Sequence, residues 1–256
     1  MRVPDSVAGD YDARDEVGNA NRERYVDARK VEGYLGEQNH ALRVRLAVES
    51  LDAALRSRPA PEDRERGLRV LELGGASGLV AAMVREKGYD VVVSDCEPRA
   101  LLMARQRALR CVAFDVRATF PMRSGTFDGI LMGELIEHMF EPMHVLEECW
   151  RVLRGDGVLV LTTPNLAILQ DRVRFLLGKS PRQVDVLHEY RKLHIRPFTL
   201  DSLRRVLSAS GFSVSTVHSN YVQWVLWPGA RLRSRWLARI MPSLGGSLVV
   251  TAKRVI

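Results

Sequence analysis

Cysteine is scarce in this chain. Its 256 residues hold three, Cys96, Cys111 and Cys149, without metal-type spacing. That excludes a disulfide-stapled scaffold and a cysteine-based zinc module, and it fits buried thiols in a reducing cytoplasm. Long apolar runs are missing as well. None approaches the roughly 18–20 residues of a membrane-spanning helix, and the polar N-terminus does not read as a signal peptide, so a cytoplasmic location is expected. There are no internal repeats, and the G-x-G-x-x-G spacing of a dinucleotide turn is absent. Negative charge runs short in one region only. Residues 1–66 carry 12 basic and 14 acidic side chains, and residues 67–163 carry 11 and 13. Residues 164–256 carry 15 and 4.

What is present is the composition of a globular protein, 46% hydrophobic and 27% charged. The net charge of +7 sits almost wholly in the last third. A lopsided distribution of this kind suits an anionic counterpart, either a phosphorylated or acidic substrate, a membrane surface or nucleic acid; a solvated basic face is the alternative.

The chain is organised around residues 68–82 (LRVLELGGASGLVAA). Leu68, Val70, Leu71 and Leu73 read as a buried strand of a parallel sheet. Residues 74–78 (GGASG) turn the chain, and Leu79, Val80, Met83 and Val84 follow at helical spacing. Strand, glycine turn and helix N-terminus make a cradle the size of a nucleotide, because small residues admit the ligand to backbone N–H groups. About twenty residues on, Val91–Val93 lead into Asp95, where a carboxylate at the end of a second strand receives ribose hydroxyls.

Residues 1–66 read as a polar tail and helical cap, with an apolar patch at Tyr25, Ala28 and Val31 and an amphipathic helix through Leu42, Leu46, Leu51 and Leu55. Residues 67–256 read as one domain with a substrate-side insertion at about 166–198. Within it, strands are predicted over 89–94, 110–114, 127–132, 157–163, 212–218 and 247–252. Helices are predicted over 98–109, 142–153, 166–177, 200–210 and 230–241. The alternation predicts an α/β fold with a doubly wound parallel sheet. In the last of those helices Arg231, Arg235 and Arg239 would form one stripe and Leu232, Trp236 and Ile240 the next. That pattern fits peripheral membrane contact or simple packing on the sheet.

In order along the chain come VLELGGASG at 70–78, Asp95, Phe114-Asp115, FDGIL at 127–131, ELIEH at 134–138, LRGDG at 153–157, TPN at 163–165 and HIRPFT at 194–199. This series resembles class I S-adenosylmethionine-dependent methyltransferases, in the type 11/23 group that includes ubiquinone-biosynthesis O-methyltransferases. The resemblance implies a Rossmann-like, mostly parallel seven-stranded sheet with helices on both faces. It implies S-adenosyl-L-methionine as cofactor, with Gly74 and Gly78 flanking the methionine tail and Gly75, Ala76, Val116 and Gly133 beside them. Asp95 would take the ribose hydroxyls, Asp115 the adenine amino group, and Glu72 the loop or the ammonium. Cys96 would contact adenine, a packed thiol being the alternative; Asp115 equally fits a turn cap. Ala76 stands where the family usually has glycine, which is tolerable if the backbone there avoids the left-handed region.

Methyl transfer from a sulfonium asks the protein to align acceptor, methyl and sulfur, and to take the proton of a hydroxyl acceptor. His138, just past the fourth strand, is the first candidate base; His194 is the second. Glu134, Glu137, His138 and His194 also resemble the divalent-metal site of small-RNA 2′-O-methyltransferases and some ubiquinone-pathway enzymes. The Asn/Asp-Pro-Pro-aromatic segment of many amino-group methyltransferases is absent. The expected substrate is a small, anionic or lipid-like molecule methylated at a hydroxyl. Metal-assisted RNA 2′-O-methylation and nicotinamide-dependent oxidation are the alternatives. Nucleic acid is not the expected partner, since no RNA-binding module is attached.

Overall fold

The computed structural model describes Gly33 and residues 38–58, 67–185, 187–188, 191–227 and 230–255. The patch at Tyr25, Ala28 and Val31 lies outside the described residues. Helix α1 (Gln38–Arg56) comes first, then β1 (Arg69–Leu73), α2 (Leu79–Glu86), β2 (Asp90–Asp95), α3 (Pro98–Gln106) and β3 (Arg110–Ala113). Next are β4 (Phe127–Gly133), a 3-10 turn at Ile136–His138, α4 (Pro142–Val152), β5 (Leu153–Pro164) and α5 (Leu169–Leu176). The chain closes with α6 (Leu200–Ala209), β6 (Phe212–Ser219), β7 (Val222–Trp227), β8 (Ala230–Ser234), α7 (Arg235–Ile240) and β9 (Ser247–Arg254).

Seven strands form one sheet in the order β3-β2-β1-β4-β5-β9-β6, parallel except for β9, which runs antiparallel to both neighbours. Strand alternation sorts the apolar residues between two layers. Leu71 and Leu73 of β1 join Ile130, Met132, Leu159 and Leu161 against α4 and α6. Val70 joins Val91, Val93, Leu131, Val158 and Val160 against α1, α2 and α3. Both layers are dry, and each fully buried Leu or Val stabilises the fold by about 1.5–3 kcal/mol. Gly129, in the middle of β4, lets α1 approach closely, since a Cβ there would sit 3.0 Å from Leu51. Helix α1 is thereby held flat across the sheet.

Local signals set the ends of several elements. Pro98 opens α3 behind Glu97, whose side chain accepts from the Arg99 N–H. Thr199 caps α6 in a reciprocal box with Ser202, and Gly211 leaves the helix with φ +79°. The predicted helix over 230–241 is corrected: residues 230–234 are β8, paired antiparallel with β7, and only Arg235–Ile240 are helical. Arg231 is therefore not on a helical stripe with Arg235 and Arg239. The run of Val222–Trp227, left unassigned by the sequence, supplies β8 with the hydrogen-bonding partner a lone five-residue strand needs.

Candidate active site

The sheet order reverses between β1 and β4, and the crevice opens outside the carboxyl ends of these strands. The cleft there is open to solvent and is lined by Arg43, Glu72, the 74–77 turn, Gly133, Glu134 and Thr162, among others.

The turn is built from left-handed residues. Gly74 has φ +66° and Gly78 φ +72°. Ala76 has φ +44°, so the condition that its backbone avoid the left-handed region is not met; an alanine there carries about 1 kcal/mol of strain. Its conformation is over-determined by its neighbours, because the Ala76 N–H donates to Asp95 Oδ2 at 2.9 Å. Gly75 is required for space, as a Cβ would lie 2.6 Å from both Glu72 Oε2 and Val93 Cγ1. Gly78 caps α2 without any side-chain bond, and with the Ala81 amide given to Glu72 the amides of Leu79 and Val80 remain for an anionic or polar ligand group.

Glu72 sits beneath the turn, and its Oε2 accepts from the Ala81 N–H at 3.1 Å. Burial, with the charge of Asp95 adding to it, pushes its carboxyl up to about 8. Asp95 accepts a second N–H, from Glu97 at 2.8 Å, while burial pushes its carboxyl above the usual range as well. The Asp95 carboxylate keeps acceptor capacity for a ligand hydroxyl. Asp115 turns back on its own loop, accepting from the Arg117 N–H and guanidinium. Burial opposes its charge, but Arg117 outweighs this and holds the carboxyl below the usual range. Cys96 is exposed and Val116 is packed in the core beside Phe120. The structure thus gathers Glu72, Gly74, Gly75, Ala76 and Gly133 in the cleft. Asp95 braces the turn, and Cys96, Asp115 and Val116 follow along the β2–β3 side.

Arg43 was not singled out by sequence reasoning. It reaches from α1 into the cleft and is only 4% exposed. It pairs with Glu134 Oε2 at 2.6 Å, while Thr162 Oγ1 donates to Glu134 Oε1 at 3.1 Å. Glu134 has φ +50°, a strained turn held by these partners. The one sequence signal was an arginine on the otherwise apolar face of an amphipathic helix.

Beyond Glu134, Glu137, His138 and His194 bring ligand atoms within 4.8 Å of one another. Glu134, committed to Arg43, is not part of that cluster; the four-residue set is corrected to three. His194 reaches it because the chain after α5 folds back, with the Arg196 N–H donating to the Glu137 carbonyl. The two imidazoles meet edge to face at 5.2 Å. His138 Nδ1 lies 2.9 Å from the Leu193 carbonyl. Glu137 is 1% exposed; its Oε2 accepts from Thr163 Oγ1 at 3.0 Å, and its Oε1 has no hydrogen-bond partner and lies 3.9 Å from His138 Nε2. Burial raises the Glu137 carboxyl, against the pull of His138. Burial, then the neighbouring His138 and Arg191, lowers His194 to about 4. His194 is therefore neutral at physiological pH.

A family model of the methyltransferase domain matches residues 40–217, and the chain belongs to that family. It is similar to a probable S-adenosylmethionine-dependent methyltransferase of Mycobacterium tuberculosis, 28% identical over 144 residues, covering 56% of this chain and 48% of the relative. It is also similar to a ubiquinone biosynthesis O-methyltransferase of Chelativorans sp., 31% identical over 157 residues, covering 57% and 58%. The chain thus spans about half the length of these curated relatives. Among solved structures it resembles the putative methyltransferase of Haloferax volcanii, found in complex with the Trm112 methyltransferase activator. The TM-score is 0.64 at 17% identity, covering 92% of this chain and 98% of that one, which shows the shared fold. The chain carries an S-adenosylmethionine-dependent methyltransferase domain of Rossmann-like fold. Membership of that family argues against the nicotinamide-dependent alternative.

Proposed function

We propose that the protein methylates a hydroxyl of a small or lipid-like acceptor, with His138 as the general base. The observation that carries this reading is the hydrogen bond between His138 Nδ1 and the Leu193 carbonyl. A carbonyl only accepts, so Nδ1 holds the hydrogen and Nε2 keeps a lone pair for a proton. Glu137 Oε1, buried and without a hydrogen bond, lies 3.9 Å from that nitrogen and stabilises the imidazolium once it forms. The ubiquinone-biosynthesis relatives are named as O-methyltransferases, and the motif of many amino-group enzymes is missing after β4.

The cleft fits the cofactor on its own geometry. The left-handed turn, the uncapped start of α2 and the hydrogen-bonding capacity of Asp95 suit an adenosine and a zwitterionic tail. Arg43 is the cation that would meet the tail carboxylate, and Glu72 the carboxylate nearest its ammonium. When bound, S-adenosylmethionine supplies a methyl group on a good leaving group. Helix α1 and the 193–196 segment shield the reacting centre, and His138 takes the hydroxyl proton at Nε2.

The test is methyl transfer from labelled cofactor to a panel of phenols and lipid alcohols, alongside amines of matched shape. Hydroxyl acceptors are expected to be labelled, and His138→Gln to lower kcat by about 10²–10⁴-fold with unchanged affinity for the demethylated cofactor. Methylation confined to amines, or an unchanged kcat in His138→Gln, would sink the reading.

A second reading is favoured by the unpartnered Glu137 Oε1. A divalent cation would be held by Glu137, His138 Nε2 and neutral His194, with the Leu193 carbonyl orienting His138 from behind, and would acidify the acceptor hydroxyl. Metal analysis of purified protein separates the two. One equivalent of cation, lost in Glu137→Gln, supports it; metal-free protein with full activity removes it.

A further inference from the structure

Acidic residues end at Asp201. From Ser202 to the C-terminus the sequence has no Asp or Glu and eight basic side chains, Arg231, Arg233, Arg235 and Arg239 among them. The structure folds much of this stretch into the β7–β8 hairpin and α7. Register pairs Trp224 with Leu232 and Gln223 with Arg233, and these neighbouring pairs project from opposite faces of the hairpin. Arg233 is exposed, and its Nη1 donates to Gln38 Oε1 at 3.0 Å, at the start of α1. Val222 is buried and Trp224 half-buried, while Leu226 is exposed and Leu232 62% exposed. On α7, Trp236 and Ile240 are four residues apart and share a face, with Trp236 72% exposed. Arg235 and Arg239 form the adjoining exposed row.

Helix α5 belongs to the same layer. Gln170 exchanges hydrogen bonds with both backbone groups of Val225, and Arg172 Nη2 donates to the Ser243 carbonyl just past α7. The C-terminal end of α5 leaves Phe175 and Leu176 exposed beside Lys179. The layer follows the carboxyl ends of β5 and β6 and precedes the start of antiparallel β9. It therefore lies at the edge of the sheet on which the cleft opens.

We propose that this layer is a docking face for an anionic lipid bilayer. The arginines of β8 and α7, elements that hold no carboxylate, attract a negative surface. Large apolar side chains gain only where hydrocarbon accompanies the charge. Phosphates of RNA or a soluble anion would leave Leu232, Trp236 and Ile240 in water. Docking in this orientation turns the cleft edge toward the membrane, so that a lipid-borne acceptor enters along the surface. That last point alone rests on the proposed acceptor class; the docking does not.

The experiment is sedimentation of the full chain with phosphatidylglycerol-containing and pure phosphatidylcholine vesicles, at low and physiological salt. Binding to the anionic vesicles alone is expected, weakened by salt. An arginine near the surface is worth about fivefold, so Arg235→Glu with Arg239→Glu is expected to weaken partitioning at least 25-fold. Leu232→Ser with Trp236→Ser is expected to weaken it about tenfold or more, and Trp236→Phe to retain it. Calorimetry with S-adenosylhomocysteine, expected to be unchanged in every variant, reports the fold and cofactor site separately from docking. The proposal is overturned if the unaltered chain ignores anionic vesicles at low salt, or binds neutral ones equally. It is also overturned if charge reversal leaves binding intact, or if the face retains an RNA oligonucleotide and no vesicles.

Discussion

The β1–β2 side of the sheet and its β5–β6 side are built on different terms. On the first, the polar groups are backbone amides and short carboxylates at strand ends, Glu72 beside the glycine turn and Asp95 at the end of the next strand. Asp95 alone holds Ala76 and Glu97 in place. On the second, the working groups come from distant stretches: Arg43 of α1 meets Glu134 after β4, and His194 folds back onto Glu137 and His138. A cofactor common to a family is served by local geometry. An acceptor particular to one enzyme is served by tertiary contacts, which change with any insertion after β5.

The seam between the sides gives the largest expected effect. Arg43→Met leaves the half-buried Glu134 carboxylate without its cation, which is expected to cost up to about 3 kcal/mol of stability and to weaken cofactor binding. Denaturant unfolding with and without S-adenosylhomocysteine measures both. If affinity is untouched while stability falls, Arg43 serves the acceptor side only. Next is Asp95→Ala, expected to weaken cofactor binding at least tenfold by calorimetry, since charge-assisted bonds are worth about 1.5–3 kcal/mol each. An unchanged affinity would mean that the first side does not bind the ribose at all.

Glu72 sharpens the comparison through protons. Its carboxyl, pushed up to about 8 by burial, binds a proton in the folded chain that the unfolded chain releases near 4.5. Its contribution to stability is therefore full below about pH 4.5 and lost as pH rises through 8. Cofactor ammonium beside it favours the charged form, so binding at pH 7 is expected to release up to about one proton. Calorimetry in buffers of different ionisation enthalpy reads this directly, and Glu72→Gln is expected to abolish it. Proton-neutral binding would place the ammonium elsewhere. The smallest effect is expected at Ala76→Gly, which relieves the left-handed strain at φ +44° and raises stability by about 0.5 kcal/mol.

How much could be read without the structure differs between the two sides for the same reason. The buried strands, the turn at 74–78, the Thr199 cap and the stop at Gly211 are short-range patterns. The hairpin was missed because residues 230–234 (ARLRS) fit a period of two as well as a helical stripe, and five residues are too few to decide. Only the backbone of Val222–Trp227 settled it. The positive φ of Ala76 and Glu134 was also invisible, since both residue types ordinarily avoid that region.

Residue order alone determined the alternating strands and helices, the cofactor turn, the carboxylate at Asp95 and the excess of positive charge in the last third. Each depends on neighbours a few positions away, through strand and helix periodicity and the conformational freedom of glycine. Tertiary structure decided that Glu134 answers Arg43 rather than joining the histidines. It also left one Glu137 oxygen without a hydrogen bond and left Leu226 and Leu232 of the β7–β8 hairpin exposed. Those outcomes rest on which distant side chains compete for the same buried space, and on the need of each buried charge for a partner.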